Sequence, residues 1–379
     1  MKFENINNIW LFSLILLLLN ACSFTQPSET LEDKSILEQV KERGKLNCGI
    51  SGNFPGFSTV NLSNIDITKL DNNPKISNNI YQQIQESAVG FDVDICRAIA
   101  SAIFDNPNAV EYRFLDTTER FEAISSGNID VLSRNTTWTV ERDVSIDIEF
   151  APIVFYDGQG ILVRKNSEVK SLNDLNGKVI CVQIETTTEE NLEDEKKKRN
   201  LTFKIRPLQD ANDVYRLYEA GECQAVTSDR SQLAGQLTSL KNPDEHIILP
   251  EILSKEPLAP VVINSDPQWI DIVRWIVFTL IEAEELGINQ NNLEQMKASK
   301  DPKIIRFLGL QGTADSIGSR LGLESDYAQR IIRHVGNYGE IYNRNLGPNS
   351  STPIPRGLNN LWNNPDPKQR GLIYSPPFR

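Results

Sequence analysis

The sequence predicts an α/β protein in which strands and amphipathic helices alternate in two successive units. Three observations support this prediction. The chain has 379 residues, enough for about two or three domains with a sizeable core. Strand-like and helical segments alternate between residues 45 and 132, and the same order begins again after Tyr156. Because a helix between two strands favours parallel pairing, each unit is expected to form a mostly parallel sheet flanked by helices.

The first unit opens with a strand, 45–50 (KLNCGI), which ends in a loop rich in glycine and proline, 51–56. Residues 61–88 are polar and rich in asparagine, and we expect a surface loop with a little helix. Apolar residues at helical spacing predict a helix over 91–104. A strand, a helix and another strand are predicted at 111–115, 118–126 and 129–132.

The second unit repeats this order, and a long helix follows it. Its strands are predicted at 160–163, 178–183, 203–206 and 224–227, with helices at 187–200 and 211–219. Asp266 and Pro267 cap a helix over 268–286, which has one apolar face and is ended by Gly287. Residues 288–379 are predicted to be helical at first and then rich in loops.

The charge and hydropathy of the chain exclude several functions. With 39 Lys and Arg against 51 Asp and Glu, the formal net charge is -12, so no basic face is left to neutralise a phosphate backbone. Nucleic acid is therefore not expected as a partner. Hydrophobic residues make up 39% and charged residues 24%, and no run reaches the roughly 18 apolar residues that a spanning helix needs. These values are typical of a globular domain.

The N-terminus carries an export signal. Residues 10–19 (WLFSLILLLL) have the length of a signal-peptide hydrophobic region, so residues 1–21 are predicted to be a signal peptide. Leu19, Ala21 and Cys22 resemble a bacterial lipobox, in which the cysteine takes a lipid and becomes the mature N-terminus. The alternative is an ordinary cleaved signal in which Cys22 has no role. Either way the chain is exported, and residues 22–44 are expected to tether the folded part to a lipid anchor.

The other four cysteines, Cys48, Cys96, Cys181 and Cys223, are candidates for two disulfides in one of three connectivities. No two of them have the CxxC spacing. Since His246 and His334 are the only histidines, a zinc or iron–sulfur site is poorly supported. We expect no metal and no cofactor.

Catalytic motifs are mostly missing. Residues 157–160 (DGQG) lack the third glycine of a dinucleotide loop, and no GxxxxGK[ST], GxSxG or HExxH occurs. Carboxylate pairs at 189–190 and 284–285 are more typical of solvated helix faces than of acid–base sites. The sequence does not indicate an enzyme.

Two other stretches are rich in hydroxyl groups and follow predicted strands. They are 134–142 (RNTTWTVER) and 185–189 (ETTTE), after the strands at 129–132 and 178–183. Open α/β sheets bind ligands beyond the carboxyl ends of their strands, and a helix N-terminus at that place favours an anion. The alternative is that these threonines only cap helices.

Eight blocks of the sequence closely resemble the general L-amino-acid solute-binding proteins of ABC importers, in the polar amino acid branch of family 3. They are GFDVDICRAIA, NIDVLSRNTTWTVERD, FAPIVFYDGQGILVRK, VICVQIETTTEENL, LPEILSKEPLAPVV, DIVRWIVFTLIEAEELGI, VGNYGEIYNRNLG and RGLNNLW. The resemblance runs from about residue 45 to 379. It implies a two-lobed periplasmic binding protein of type II, with hinge strands near 155–160 and 258–262. Lobe 1 is expected over 45–157, lobe 2 over 158–260, and a return to lobe 1 with a helical extension over 261–379.

The resemblance also implies a function and partners. Such a protein captures a free L-amino acid between its lobes in the periplasm and delivers it to the permease subunits of an ABC importer. A monomer is expected, bound to the membrane only through a lipid on Cys22. It further implies that disulfides stay within lobes, because a bridge across the cleft would obstruct the hinge. The expected pairs are Cys48 with Cys96 and Cys181 with Cys223.

Residue roles are carried over position by position. Arg142 matches the family arginine that pairs with the ligand α-carboxylate, and its guanidinium suits bidentate binding. The N–H groups of Thr137 and Thr187 are expected to complete the carboxylate site, one from each lobe. Asp229 matches the acidic residue that takes the α-ammonium, assisted by Asn135.

Other positions bear on specificity. Phe54 is placed against the ligand side chain, and Ser51 stands at the cleft edge where Asn or Asp is more typical. Glu185 replaces the usual glycine before the threonine run, so a negative charge is expected near the anion site. Arg134 is either a selectivity residue for acidic or amide ligands or a surface charge.

Two rival functions are kept. Periplasmic dehydratases resemble this family, but a general acid would be needed in the cleft, and both histidines fall outside the resembling blocks. A sensor that binds an amino acid and reports to a receptor would need a partner protein. Amino acid transport is the favoured function.

Overall fold

The computed structural model describes residues 34–61, 74–311 and 316–379. The predicted signal peptide (1–21), Cys22 and the tether as far as residue 33 lie outside the described residues. In the part of the chain that is described, no helix is both long and apolar enough to cross a bilayer.

Strands and helices alternate as the sequence predicts. The strands are β1 (Leu46–Ile50), β2 (Asn53–Phe54), β3 (Ser58–Val60), β4 (Ala88–Val89), β5 (Val110–Phe114), β6 (Val131–Leu132), β7 (Ile148–Phe150), β8 (Phe155–Arg164), β9 (Val179–Gln183), β10 (Lys204–Leu208), β11 (Ala225–Asp229), β12 (His246–Ile248), β13 (Lys255–Leu258) and β14 (Val261–Ile263). The α-helices are α1 (Ile36–Arg43), α2 (Pro74–Ser87), α3 (Phe91–Phe104), α4 (Arg120–Ser125), α5 (Val140–Ser145), α6 (Thr187–Arg199), α7 (Ala211–Glu219), α8 (Arg230–Leu237), α9 (Pro267–Glu285), α10 (Leu293–Met296), α11 (Pro302–Phe307), α12 (Ile317–Arg320), α13 (Tyr327–His334) and α14 (Tyr338–Leu346).

The described strands form a five-stranded sheet and a six-stranded sheet, which we call the first and the second sheet, and a small three-stranded sheet of β2, β3 and β4. The first has the order β5-β1-β6-β14-β7 and the second the order β10-β9-β11-β8-β12, with β13 paired to part of β8. The parallel pairs are β1 with β5 and β6, and β9 with β10 and β11. β8 and β14 run antiparallel to their neighbours. Each of these two larger sheets is therefore mixed.

The chain passes between the two sheets twice, and the two passages lie side by side. It enters the second sheet at β8 and leaves it after β13, and Phe155 of β8 pairs with Leu258 of β13. A further antiparallel bridge joins Thr137 to Leu258. We call the part of the molecule around each sheet a half. If the two halves bend against each other, the bending would be concentrated in these two neighbouring passages.

Each half contains one disulfide. Cys48 of β1 is bonded to Cys96 of α3, and Cys181 of β9 is bonded to Cys223, just before β11. These are the two pairs that the sequence predicts. The bonded residues are 48 and 42 positions apart, and on the chain-entropy model each bond stabilises its half by about 4 kcal/mol.

Two segments differ from expectation. The end of the predicted tether is a packed helix, α1, because Ser35 and Glu38 form a capping box and Leu37 and Val40 are buried. The last part of the predicted loop 61–88 is a 14-residue helix, α2. The side chain of Gln85 accepts from the N–H of Tyr112 at 2.6 Å and donates to its carbonyl at 3.0 Å, which ties α2 to the edge strand β5.

The C-terminal residues cover the first passage between the sheets. The side-chain oxygen of Asn359 accepts from the N–H of Tyr156 at 2.6 Å, and its amide nitrogen donates to the carbonyl of Tyr156 at 3.1 Å. Arg356 forms an ion pair with Glu284 of α9 at 2.5 Å. These C-terminal residues, which we call the C-terminal extension, are thus bonded both to α9 in the core and to β8, the strand that enters the second sheet.

Candidate ligand-binding site

A small polar cavity lies between the two halves of the molecule. It is bordered by the segments that follow β5, β6, β9 and β11, so it lies where open α/β sheets bind ligands. Six of the seven residues predicted to contact a ligand line it: Ser51, Asn135, Thr137, Arg142, Thr187 and Asp229.

The segment after β6 supplies the residues from the first half. Asn135 has a left-handed backbone with φ of +31°, and its N–H donates to the buried carboxylate of Asp92 at 3.2 Å. The two hydrogen bonds of the bridge between Thr137 and Leu258 are donated by the N–H groups of Trp138 and Ala259. Because neighbouring N–H groups of an extended chain point in opposite directions, the N–H of Thr137 points away from the partner strand. Thr139 then caps α5 by accepting from the N–H of Arg142.

The N-terminus of α6 supplies the residues from the second half. The side chain of Thr186 caps the helix by accepting from the N–H of Glu189 at 3.1 Å. Thr187 is the first residue of the helix, so its N–H has no intrahelical acceptor. Its hydroxyl donates to the buried carboxylate of Glu256 at 2.8 Å, which fixes its side chain.

Glu185, the departure from the family glycine, has φ of +56°. The turn therefore requires the left-handed conformation that glycine adopts without strain. Its side chain is exposed and does not line the cavity, whereas its carbonyl accepts from Nη2 of Arg120 at 3.3 Å. The backbone of Glu185 contacts Arg120, and the negative charge of its side chain also acts on Arg120.

The two halves touch each other around the cavity. Nδ2 of Asn135 lies 3.4 Å from Oδ2 of Asp229, and the hydroxyl oxygens of Thr137 and Thr187 are 3.5 Å apart. Farther out, Gln209 donates to the carboxylate of Asp116 at 2.9 Å. The structure therefore has a closed cleft.

On another side of the cleft, α8 meets the loop 51–56. The side chain of Gln236 donates to the carbonyl of Asn53 at 2.9 Å. Gly235 faces the carbonyl of Pro55, and a Cβ atom at Gly235 would lie only 2.6 Å from that oxygen. In the closed cleft the backbone of α8 at Gly235 therefore packs directly against the backbone of the loop at Pro55.

Three arginines line the cavity: Arg120, Arg134 and Arg142. Nη1 of Arg142 donates to the carbonyl of Thr137 at 2.9 Å, and its guanidinium lies 5.2 Å from the ring centre of Phe121. Burial lowers the pKa of Arg142, and burial lowers the pKa of Arg134 to about 10. Both side chains remain cationic at neutral pH.

Carboxyl groups lie opposite these arginines. Asp229 lines the cavity and is buried, and its pKa is raised well above the usual range, first by burial and then by Asp157 and Glu256. Burial also raises the pKa of Asp157 to about 6. A cation placed beside Asp229 would favour its ionised form.

Phe54 lies elsewhere in this closed form. Its side chain is buried, and its ring stacks on that of Phe57 with 4.5 Å between ring centres. It does not line the cavity, so its contact with a ligand stays a prediction. Among the described residues no group of three or more His, Cys, Asp or Glu side chains could hold a metal ion.

Three residues at or beside the cavity are not predicted from the sequence: Arg120, Thr117 and Glu256. Thr117 and Arg120 follow β5, just as the stretches 134–142 and 185–189 follow β6 and β9. Because open α/β sheets bind ligands beyond the carboxyl ends of their strands, the same reasoning applied to β5 would have identified them. Arg134 lines the cavity and is buried, so it is not a surface charge.

Comparisons with known proteins agree with this architecture. The family model described as bacterial extracellular solute-binding proteins, family 3, matches residues 74–298. The general L-amino acid-binding periplasmic protein AapJ of Rhizobium johnstonii is 47% identical over 343 residues, which is 90% of this chain and 92% of the relative. The glutamate/glutamine/aspartate/asparagine-binding protein BztA of Rhodobacter capsulatus is 42% identical over 346 residues, or 91% and 94% of the two chains.

A solved structure is similar over nearly the whole chain. It is an ABC transporter periplasmic binding protein from Brucella ovis with glutathione bound, and it is 42% identical with a TM-score of 0.81. The similarity covers 92% of this chain and 100% of that chain. These matches extend over the cavity and both sheets, and this chain belongs to the bacterial extracellular solute-binding proteins of family 3.

Proposed function

We propose that this protein captures L-amino acids in the cleft and delivers them to an ABC importer. The observation that carries the proposal is the cavity itself, in which a guanidinium, two unengaged backbone N–H groups and a buried carboxylate come together from both halves. A free amino acid presents one anion and one cation a few bonds apart. The cavity offers a complementary group for each.

The α-carboxylate is assigned to Arg142 and to the N–H groups of Thr137 and Thr187. Nη1 of Arg142 already bonds Thr137, so Nη2 and Nε remain to bind a carboxylate. Thr187 contributes the N-terminus of a 13-residue helix, where an anion is favoured. Because the two N–H groups come from different halves, a bound carboxylate would hold the cleft closed.

The α-ammonium is assigned to Asp229, with Asn135 beside it. The raised pKa of Asp229 reflects burial without a cationic partner in contact, and an ammonium group would supply that partner. Glu256 and Asp157 add to the negative potential at this end of the cavity.

Delivery and location follow from the family. AapJ and the Brucella ovis protein are named periplasmic, and the export signal predicted for residues 1–21 agrees with that location. Attachment through a lipid on Cys22 is part of the proposal. Closure of the cleft would present a loaded form that the importer's permease can distinguish from the empty one.

The enzymatic rival lacks a histidine at the cavity. His246 is buried 2.7 Å from the hydroxyl of Tyr218, and His334 pairs with Asp105 at 2.9 Å. Neither lines the cavity. A sensor would use the same site, so it differs from a transport receptor only in its protein partner.

A thermal-shift screen with the twenty amino acids tests the proposal, because a ligand that binds only the native state raises the melting temperature. The screen includes glutathione, since the similar Brucella ovis protein binds it and an open groove adjoins the cavity at Ser51, Arg134 and Gln183. We expect several L-amino acids to stabilise the protein. If none does, the proposed function is wrong.

Arg142 variants test the assigned site. Arg142→Ala removes two charge-assisted hydrogen bonds, so we expect a loss of about 3 kcal/mol or more, over roughly 100-fold in Kd, for every accepted amino acid. Arg142→Lys keeps the charge and should lose less. Val144→Ala, on the same helix and 74% exposed, is the control and should bind normally. Unchanged affinity in Arg142→Ala would contradict the assignment.

A further inference from the structure

The surface of the C-terminal extension carries four large apolar side chains that are exposed. They belong to Leu358, Trp362, Leu372 and Tyr374, and each is between 47% and 60% exposed. The N–H of Leu372 donates to the carbonyl of Leu358 at 2.8 Å, and the N–H of Trp362 donates to the carbonyl of Ile373 at 2.9 Å. The four side chains therefore lie on two neighbouring segments of backbone and form one surface, which we call the extension patch. None of them lines the ligand cavity.

The extension patch is held in place by contacts on its inner side. Ile373 is 1% exposed, and because side chains alternate along an extended segment, Leu372 and Tyr374 both face outward. The N–H of Ser375 then donates to the carboxylate of Glu285, in α9, at 2.9 Å. The patch is thus preformed, so a partner that binds it does not have to order the backbone first.

The C-terminal extension is basic, although the chain as a whole is acidic. Residues 352–379 contain four Lys and Arg against one Asp, whereas the net charge of the chain is -12. Lys368 and Arg370 are exposed in the loop that joins the two segments of the patch, and in the described part of the chain neither forms an ion pair. Asp366, the one acidic residue, accepts from the N–H of Lys368 at 3.0 Å. The patch therefore has a rim of unpaired positive charge.

This combination of side chains is typical of protein surfaces that bind the interface of a bilayer. Trp and Tyr are enriched at the level of the lipid headgroups, and Leu side chains reach the upper part of the acyl chains. Lys and Arg are attracted to anionic headgroups. A second copy of this chain is a poorer partner, because a two-fold dimer through the patch would bring Lys368 and Arg370 close to the same positive charges of the other copy.

The proposed lipid on Cys22 would bring the extension patch within reach of a bilayer. About a dozen residues separate Cys22 from Lys34, where the described chain begins, and a segment of that length spans at most about 40 Å. The N–H of Ile36 donates to Asp266 at the start of α9, whereas the patch is bonded to Glu285 at the end of that helix. Since α9 has 19 residues, its length is about 28 Å. The tether is therefore long enough for the anchor and the patch to contact one membrane.

We propose that the extension patch binds the surface of an anionic bilayer, with its aromatic and leucine side chains at the depth of the headgroups and with Lys368 and Arg370 against lipid phosphates. The lipid on Cys22 remains the main anchor, and the patch gives the attached protein a fixed side that faces the membrane. Because the patch does not border the ligand cavity, membrane binding leaves that cavity free to take up a ligand. The inference does not depend on which ligand the cavity binds.

Sedimentation with lipid vesicles tests the proposal on the chain from Ser23 to Arg379. Every described helix and strand lies within these residues, and without residues 1–22 neither the signal peptide nor a lipid can bind the vesicles. We expect binding to vesicles of equal parts phosphatidylcholine and phosphatidylglycerol, and roughly 10-fold weaker binding to phosphatidylcholine alone. Binding to the anionic vesicles should fall as salt is added. No binding to the anionic vesicles, or equal binding to both kinds, would overturn the proposal.

Trp362→Ser and Leu372→Ser test the apolar part of the patch. Each removes a side chain that is about half exposed in the free protein, so we expect binding to the anionic vesicles to weaken roughly 5- to 10-fold. Ile247→Ser is the matched control, because Ile247 is an apolar residue on β12 of the second half and is 42% exposed. It should bind vesicles as the unsubstituted chain does. Equal binding by all three variants would count against the proposal.

Lys368→Gln together with Arg370→Gln tests the basic rim. A basic residue near an anionic surface contributes roughly 5-fold to binding, so this double variant should bind the anionic vesicles roughly 25-fold more weakly. Lys204→Gln together with Lys241→Gln removes the same charge from exposed positions of the second half and should leave binding unchanged. Equal losses in the two double variants would show that only the net charge matters, and the proposal would be wrong.

Other occupants of the patch give different results. If the patch contacts the importer's permease, the chain would bind vesicles that contain the permease and would not bind plain anionic vesicles. If a second copy covers the patch, ultracentrifugation would show a dimer that Trp362→Ser dissociates. Either result would overturn the proposal. The melting temperature of every variant should equal that of the unsubstituted chain, and if an apolar variant does not fold, the charge variants still decide the outcome.

Discussion

The contact between Gly235 and Pro55 allows closure of the cleft to be perturbed without touching the ligand site. Gly235 lies in α8 and does not line the cavity. In Gly235→Ala the new Cβ would lie 2.6 Å from the carbonyl oxygen of Pro55, nearly 1 Å inside ordinary contact distance. The two halves must therefore separate locally before the substitution fits the closed form.

The size of the effect follows from this overlap. Overpacking of a tight contact costs about 1–3 kcal/mol, and here the closed form alone bears that cost. Ligand affinity should fall by roughly 5- to 150-fold, by a similar factor for every amino acid. Replacing glycine by alanine within a helix stabilises it by about 0.5–1 kcal/mol, so the ligand-free protein should melt at the same temperature or slightly higher.

Calorimetry and thermal melting measure the two effects separately. The matched control is Ala234→Ser, which adds one atom on the same helix at a groove away from Pro55 and should bind normally. Wild-type affinity in Gly235→Ala would show that the ligand-bound form lacks this contact. A fall in affinity together with a lower melting temperature of the ligand-free protein would indicate damage to α8 instead, and would refute the reasoning.

Four other predictions concern separate parts of the chain. Affinity for amino acids should fall as pH drops through the raised pKa of Asp229, because the ammonium binds the ionised carboxylate, and calorimetry should show a weaker pH dependence in Asp229→Asn. Glu185→Gly should raise the free energy of unfolding by up to about 1 kcal/mol in denaturant titration, because it relieves a left-handed backbone. Replacing Cys181 and Cys223 together by alanine should lower that free energy by about 4 kcal/mol, again by denaturant titration, with little effect on the other half. Cell fractionation of Cys22→Ala should show a protein released from the membrane, whereas unchanged attachment would contradict the lipid anchor.

The alternation of strands and helices could be predicted from the sequence because each element carries its own periodicity. The bounds of α7 and α3 agree with the apolar spacing at 211–219 and 91–104. For α2 the sequence predicts only a little helix, because this segment is rich in Asn and Gln. Its position depends on the bonds of Gln85 to the edge strand β5, which local propensity does not reveal.

The candidate site was only partly predictable for a similar reason. Thr137, Thr187 and Asp229 follow strands in motifs whose composition is distinctive. Arg120 begins a short helix and looks from the sequence like a solvated charge, but its burial depends on the other half, whose Glu185 carbonyl it contacts. Phe54 could have pointed toward the cleft, and its stacking on Phe57 is decided by tertiary packing.

The bond between Asn359 and Tyr156 has a mechanical consequence. The side-chain amide of Asn359 bonds both the N–H and the carbonyl of Tyr156, as a neighbouring strand would. The start of β8 is therefore fixed to the C-terminal extension. When the cleft opens, the backbone would then bend in the part of β8 that follows Tyr156, while Tyr156 itself stays fixed to the C-terminal extension. Asn359 lies outside the stretch 74–298 that the family model matches. The C-terminal extension, which lies outside the stretch matched by the family model, would thus set the axis about which the cleft opens. A chain that is cut before residue 347 would open about a different axis.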